Sequence, residues 1–303
     1  MPKSSGLNPR WTYWMWYILP ALLFYGVFMA YPLLDSVRLS FFTGRINDRT
    51  FVGFDNFIRL FTDPVHSERY INAFANTWYF FFIHIVVQNG LGIFFATLLT
   101  APKMRGSKIY QAIIFIPTTF AVLVTGYLWK LLLNPVWSRP ALTEIGLGGL
   151  AQPWLGNPDT ALTAVSLVSS WQWMGIPTMM FVAGLMNISE DIYEAADIDG
   201  ANAWTTFFFI KLPLLLPIVG MVAILTFVNN FNAFDIVFAM TTVNGAPGFS
   251  TDLIGVLFYR TGIAGQHPIG IPDPGMGAAI ATITFIMLAV VSMTVLYFTR
   301  TKE

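Results

Sequence analysis

The chain has 303 residues, 16 basic side chains against 16 acidic ones, and no cysteine. Apolar residues make up 55% and charged residues 11%. That is too few charges to coat a soluble surface, which takes about 25%, so the composition points to a membrane protein. Balanced charge argues against a nucleic-acid binder. The missing cysteines exclude disulfides, thiolate metal sites and thiol nucleophiles, and His66, His84 and His267 lie far apart in sequence with no metal-ligand spacing.

Six stretches are long and apolar enough to cross a bilayer as helix, which takes about 20 residues: 13–34, 77–99, 109–129, 161–186, 214–240 and 276–298. The expected fold is an all-α integral membrane protein with six transmembrane helices. The first span is too long for a signal peptide and lacks a small-residue cleavage site after it, so it reads as an uncleaved anchor. Trp11, Tyr13, Trp14, Trp16 and Tyr17 crowd its start as an interfacial belt does. The long outer loop that follows runs from about Asp35 to Asn76. In the second span His84, Gln88 and Asn89 share a helix face. They suit a proton relay or, more simply, hydrogen-bonded packing.

The turn 101–108 after the second span is compact and basic, and it gives the strongest local vote on orientation. Lys3, Arg10, Lys103, Arg105, Lys108, Lys211, Arg300 and Lys302 fall on the side of the termini. Arg38, Arg45, Arg49, Arg59, Arg69, Arg139 and Arg260 fall on the other, spread over about twice the loop length. Both termini are therefore expected in the cytoplasm, against the dissent of five arginines in the first outer loop. In the fourth span, Trp171-Gln172-Trp173-Met174-Gly175-Ile176-Pro177-Thr178 contains a Gly and a Pro that allow a local break and expose carbonyls to a cavity.

The inner loop 187–213 is the most informative segment. Ser189 is placed to cap a helix whose first turn carries Glu190 and Asp191, where the dipole favours anions. Gly200 suits the left-handed residue that ends a helix, a second short helix is expected from about Asn202 to Ile210, and Pro213 stands where the next span begins. The acidic helix (Glu190, Asp191, Glu194, Asp197, Asp199) suits a protein partner better than anionic lipid. A plain amphipathic connector is the rival reading.

The fifth span holds Thr226, Asn229, Asn230, Asn232 and Asp235. Thr226, Asn230 and Ala233 share one face with Asn229 beside it. Asn and Asp match the hydroxyls of a neutral polyol, and Phe227, Phe231 and Phe234 could stack on a sugar's apolar face. Interhelical hydrogen bonding explains the same asparagines equally well. For Asp235 a structural role is expected, as a partner for Lys130 or near the outer surface.

Glu194-Ala195-Ala196, three residues, Gly200, nine residues, Ile210, one residue and Leu212-Pro213 reproduce a fixed spacing. In this spacing the inner loop resembles the "EAA" loop of permease subunits of binding-protein-dependent ABC importers. Val52-Gly53-Phe54-Asp55-Asn56-Phe57 with Leu60-Phe61, Asn76-Thr77, Phe115-Ile116-Pro117 and Asn244-Gly245-Ala246-Pro247-Gly248 resemble the maltose-type sugar permeases in particular. The resemblance runs from about Trp11 to Phe298. It implies a type I ABC importer permease fold, with residues 1–71 as tail, first helix and outer loop, 72–298 as the transmembrane domain, and 299–303 as a second tail. It implies a coupling role for Glu194, Ala195, Ala196, Asp197, Gly200, Ile210, Leu212 and Pro213.

The same resemblance implies a substrate path at Trp171, Met174, Gly175 and Thr178 with Thr226, Asn229, Asn230 and Ala233. Trp171, Ala233 and Thr178 depart there from the family's two asparagines and tyrosine, so the place of a site transfers more readily than its specificity. The implied assembly is a second permease, an ATPase dimer and an extracytoplasmic solute-binding protein, in the inner membrane and its lipid, with a carbohydrate as substrate. No G-x-x-x-x-G-K-[ST] stretch occurs, so this chain is expected to bind no cofactor and to perform no catalysis, with ATP and Mg held by the ATPase subunits. An ion-coupled secondary transporter, or a permease for a polyol or glycerol phosphate, is the alternative.

Overall fold

The computed structural model describes residues 11–44, 48–101, 104–265 and 271–299. Lys3, Arg10, Arg45, Lys103, His267, Arg300 and Lys302 lie outside the described residues. The first span is helix α1 (11–39), with a wider turn at Gly26–Ala30. A two-stranded hairpin follows, β1 (Phe42–Thr43) against β2 (Thr50–Phe51), with Phe42 opposite Phe51. Then come α2 (Asp55–Thr62) and α3 (Pro64–Leu99).

Helix α3 begins well before residue 77, so the expected outer loop is shorter. Asp63 caps it, accepting the amides of Val65 and His66 at 3.0 Å each, and Pro64 sits at the first position, where its missing N–H costs nothing. The His66 ring bonds the same carboxylate, and this hydrogen bond holds the Asp63 carboxyl below its usual range.

Asn56 fixes the start of this region. Its Nδ2 donates to the carbonyls of Ser40 (2.9 Å) and Phe42 (2.8 Å), closing the end of α1 onto α2. Asn56→Leu would leave both carbonyls without this donor, at a cost of about 1–3 kcal/mol. A lower unfolding midpoint in detergent is the expected result, and an unchanged midpoint would remove the role.

The third, fourth and fifth spans are not continuous rods of the expected bounds. The third divides into α4 (Ser107–Phe115) with a tight turn at Ile116–Thr119, and α5 (Val122–Leu132), bent by 95°. Pro117 lacks an N–H, the hydroxyls of Thr118 and Thr119 bond the carbonyls three residues back, and Phe120 and Ala121 are extended. Past a short helix α6 (Pro135–Glu144), the fourth span is α7 (Pro158–Trp173) and α8 (Gly175–Met186), interrupted at Met174, where Pro177 cannot donate to the preceding turn.

The inner helix α9 (Glu190–Ile198) leads to α10 (Ala203–Phe231). The expected separate helix from Asn202 to Ile210 is instead the first two turns of α10. A wider turn at Phe207–Lys211 absorbs Pro213 without a break. Helix α10 then stops before the expected end of the fifth span. Asn232 turns its amide back onto the Val228 carbonyl (2.9 Å), and Asp235 opens a separate helix, α11 (Asp235–Thr241). A short helix α12 (Ile254–Ala264) and the last span α13 (Pro274–Thr299) complete the chain.

Among the described residues, four helices can cross a membrane by length and composition and the bent α4–α5 pair makes a fifth, compatible with six crossings when α7–α8 is counted as one interrupted span. Three buried clusters hold them together. One joins α2, α3, α10, α12 and α13 through residues such as Leu60, Phe227, Phe231, Leu257 and Met276. The second joins α3, α7, α11 and α12 through Phe80, Val165, Val237 and Leu253. The third joins α3, α8 and α10 through Ala96, Phe181 and Leu215. Small residues permit the closest approaches, as membrane packing requires. At Gly126 of α5 a Cβ would collide with that of Ala239 on α11.

Candidate functional site

Two regions gather the sequence-derived candidates: a cavity within the helices and the inner loop. The cavity has a volume of about 360 Å³ and lies among α3, the start of α5, α7–α8, α10 and α11. Thr226, Asn229, Asn230 and Ala233 line it together. Thr226 donates to the Val222 carbonyl (2.8 Å) and accepts from Asn89 Nδ2 (3.1 Å). It therefore serves as interhelical glue as well as wall. Asn230 is 5% exposed and its Nδ2 has no hydrogen-bond partner. A buried amide in that state lacks a bond worth about 1–3 kcal/mol. Asn229 is exposed to the cavity.

The fourth span presents a different face. Trp171, Met174, Gly175 and Thr178 do not line the cavity. Trp171 stands edge-on to Trp129 at 5.4 Å. Met174 is buried at the interruption, and its carbonyl accepts the Thr178 hydroxyl at 2.8 Å. At Gly175 a Cβ would lie 2.9 Å from Phe115 Cα and 3.0 Å from the Ile114 carbonyl oxygen, so this face packs on α4. Ser169, Trp173, Ile176 and Met180 face the cavity instead, with Pro177 beside them. They stand at i, i+4, i+7 and i+11, one helical stripe that continues across the interruption. That period is readable in the sequence and is the signal that identifies this wall.

Of the interleaved aromatics, Phe234 lines the cavity, whereas Phe227 and Phe231 pack on Trp78 at 5.8 and 5.3 Å within the core. Asp235 also lines it and makes no ion pair with Lys130. Lys130 lies at the far end of α11, in a second cavity with Met240, Thr241 and Thr242. Gln88 adds one more polar group. His84 is held at both ring nitrogens: Nδ1 donates to the Phe80 carbonyl (2.7 Å) and Nε2 accepts from the Ser169 hydroxyl (3.0 Å). This arrangement fits packing.

In the inner loop, Ser189 has the extended backbone of a cap but its side chain makes no capping bond. Gly200 is left-handed, with φ +73°. Ala201 N–H returns to the Ala196 carbonyl at 2.9 Å, closing the helix end as a glycine-terminated helix does. Asn202 accepts the Thr205 amide (2.9 Å) and starts α10. Glu194, Ala195 and Asp197 are exposed while Ala196 is buried against the helices. Ile210 in the wider turn and Leu212 just after it are half-buried, and Pro213 is exposed. Tyr193 is half-buried beneath the Lys211 ammonium, 5.1 Å from the ring centre, and burial pushes its phenol above the ordinary value. The uncharged ring ties α9 to the base of α10.

Away from the inner loop, residues 76–77 hold the segment that follows the motif 244–248. Asn76 Nδ2 donates to the carbonyls of Phe249 (3.3 Å) and Asp252 (3.1 Å), and Asn72 donates to Phe249 (2.9 Å). Thr77 accepts the Ile254 amide at 3.0 Å. Arg260 and Asp252, both fully buried, form a two-pronged ion pair, and Arg260 also donates to the Val243 carbonyl (3.1 Å).

Comparison with known proteins gives concordant results. The profile of the family described as binding-protein-dependent transport system inner membrane component matches residues 88–300. The lactose transport system permease protein LacF of Rhizobium radiobacter is 30% identical over 95% of this chain and 94% of its own. The multiple sugar-binding transport system permease protein MsmF of Streptococcus mutans is 32% identical over 93% of each. Among solved structures, a bacterial ABC transporter that imports the acidic polysaccharide alginate superposes with a TM-score of 0.79 at 21% identity, covering 96% of both chains. The fold is therefore that of an ABC importer permease.

Proposed function

We infer the function from one premise: the chain belongs to the family of binding-protein-dependent transport system inner membrane components, and it is a permease subunit rather than an enzyme. In our reading it serves an ATP-driven carbohydrate importer of the bacterial inner membrane with both termini in the cytoplasm. It forms the path with a second permease and receives substrate from an extracytoplasmic binding protein. A pair of ATPase subunits, which hold ATP and Mg, grips it through the inner loop. Lactose and other sugars in the relatives' names support the carbohydrate class.

The observation that carries this reading is α10. It is one unbroken helix of 29 residues, about 43 Å long. It starts three residues beyond Gly200 and ends in the asparagine wall of the cavity. A displacement of the acidic helix α9 therefore reaches the cavity through a rigid lever. ATP drives the change because it binds the closed ATPase pair better than the open one.

Purification of the chain from its native membrane is expected to bring down an ATPase, and uptake is expected to stop when ATP is depleted. Uptake that persists without ATP and collapses with an ion gradient would overturn the assignment. Within the cavity, Asn230→Leu removes the unpartnered amide, and the KM for the transported sugar is expected to rise by up to about tenfold. Unchanged uptake kinetics across substrates would place Asn230 outside the path.

A further inference from the structure

We propose that Asp235 makes the cavity a filter against anionic solutes, so that the path takes neutral, hydroxyl-rich saccharides and turns back uronates and sugar phosphates. This assignment rests on the cavity being the path, and it adds the substrate class that the path admits. Among the described residues lining the cavity, Asp235 is the one ionisable side chain; the rest are aromatic, aliphatic, hydroxyl or amide groups. Its side chain is exposed there, beside Asn229 and Asn232, and it belongs to no ion pair among the described residues.

The nearby cations are committed elsewhere. Arg260 is fully buried and paired with Asp252, and it also donates to the Val243 carbonyl. Lys130 stands at the other end of α11, in the separate cavity. The break at Asn232–Phe234 is what turns Asp235 inward, because it ends α10 and restarts the chain as α11 packed on α5.

A carboxylate in an apolar-walled space disfavours a second anion within about 6 Å by about 10- to 100-fold. Toward a neutral sugar the same group is an asset. Its two oxygens accept a pair of adjacent hydroxyls, and Asn229, exposed beside it, offers an amide to a third oxygen.

The chain contains no cysteine, so an introduced thiol can report the field in the cavity without a known substrate. In the intact transporter carrying Asn229→Cys, modification of this chain by the cationic reagent MTSET and the anionic reagent MTSES is followed by mass spectrometry. Both rates are normalised to a free thiol. The cation is expected to react faster, and adding Asp235→Asn is expected to narrow the ratio at least about tenfold. A ratio that Asp235→Asn leaves unchanged overturns the filter and leaves the path reading standing. If neither reagent reaches the thiol, with or without ATP, the cavity is no path and the filter falls with it.

Discussion

Asp252→Ala is expected to destabilise the protein by about 3–5 kcal/mol, the cost of breaking a buried ion pair. Asp252 and Arg260 are both 0% exposed, so removing the carboxylate strands a guanidinium where water cannot replace its partner. The damage spreads because this pair organises the segment after α11. Arg260 lies 5.1 Å from the Phe249 ring centre and Arg69 lies 3.4 Å from the same ring. The Phe249 and Asp252 carbonyls are in turn held by Asn72 and Asn76 of α3. The unfolding midpoint in detergent and the yield of inserted protein measure the effect. Replacing both partners, Asp252→Leu with Arg260→Met, is expected to be milder than either single change, because no unpaired charge remains buried. A single variant as stable as the parent would mean that water or another group reaches Arg260.

Gly200→Pro is expected to uncouple the inner loop from the cavity. Proline fixes φ near −65°, whereas Gly200 sits at +73°, and its amide donates to the Asp197 carbonyl at 3.1 Å. The substitution therefore redirects the chain between α9 and α10 and breaks the link. Gly200→Ala gives the graded control, since a left-handed alanine costs about 1–2 kcal/mol. Glu194→Lys tests the same link by charge. Glu190, Asp191, Glu194, Asp197 and Asp199 are all exposed, and none joins an ion pair among the described residues, an arrangement suited to a basic partner surface. In Gly200→Pro and Glu194→Lys, uptake is expected to fall about 100-fold, the size of a strong coupling energy, while ATP hydrolysis and insertion persist. Normal transport in both variants would dismiss the coupling assignment.

Much of this was legible in the sequence because it depends on local rules. Gly200 ends α9 in the left-handed conformation because no other residue adopts it so cheaply. Thr226 and Asn230 share a cavity wall because 3.6 residues per turn put them on one face of α10. Asn76, noted on resemblance, proves to hold the carbonyls of Phe249 and Asp252, just after the motif 244–248.

Other features depended on what stands opposite. A Gly and a Pro near residue 175 announce an interruption, but not which face of α7–α8 meets the cavity. That is decided by the close packing of Gly175 on α4, which turns Ser169, Trp173, Ile176 and Met180 inward. Likewise a run of apolar residues through 240 reads as one span. The Asn232 amide competing for the Val228 carbonyl ends it early and delivers Asp235 to the cavity.

By itself, then, the sequence determined the class of molecule, the membrane-crossing character of its helices, the family and the glycine end of α9. Apolar length, charge placement and residue conformation act within a few turns of chain. Only the tertiary structure decided which side of each broken helix lines the cavity, where Lys130 and Asp235 lie relative to each other, and that α9 and the asparagine wall are joined by a single lever. Those properties are set by contacts between helices far apart in sequence, where a missing Cβ or a turned amide outweighs the periodicity of either helix alone.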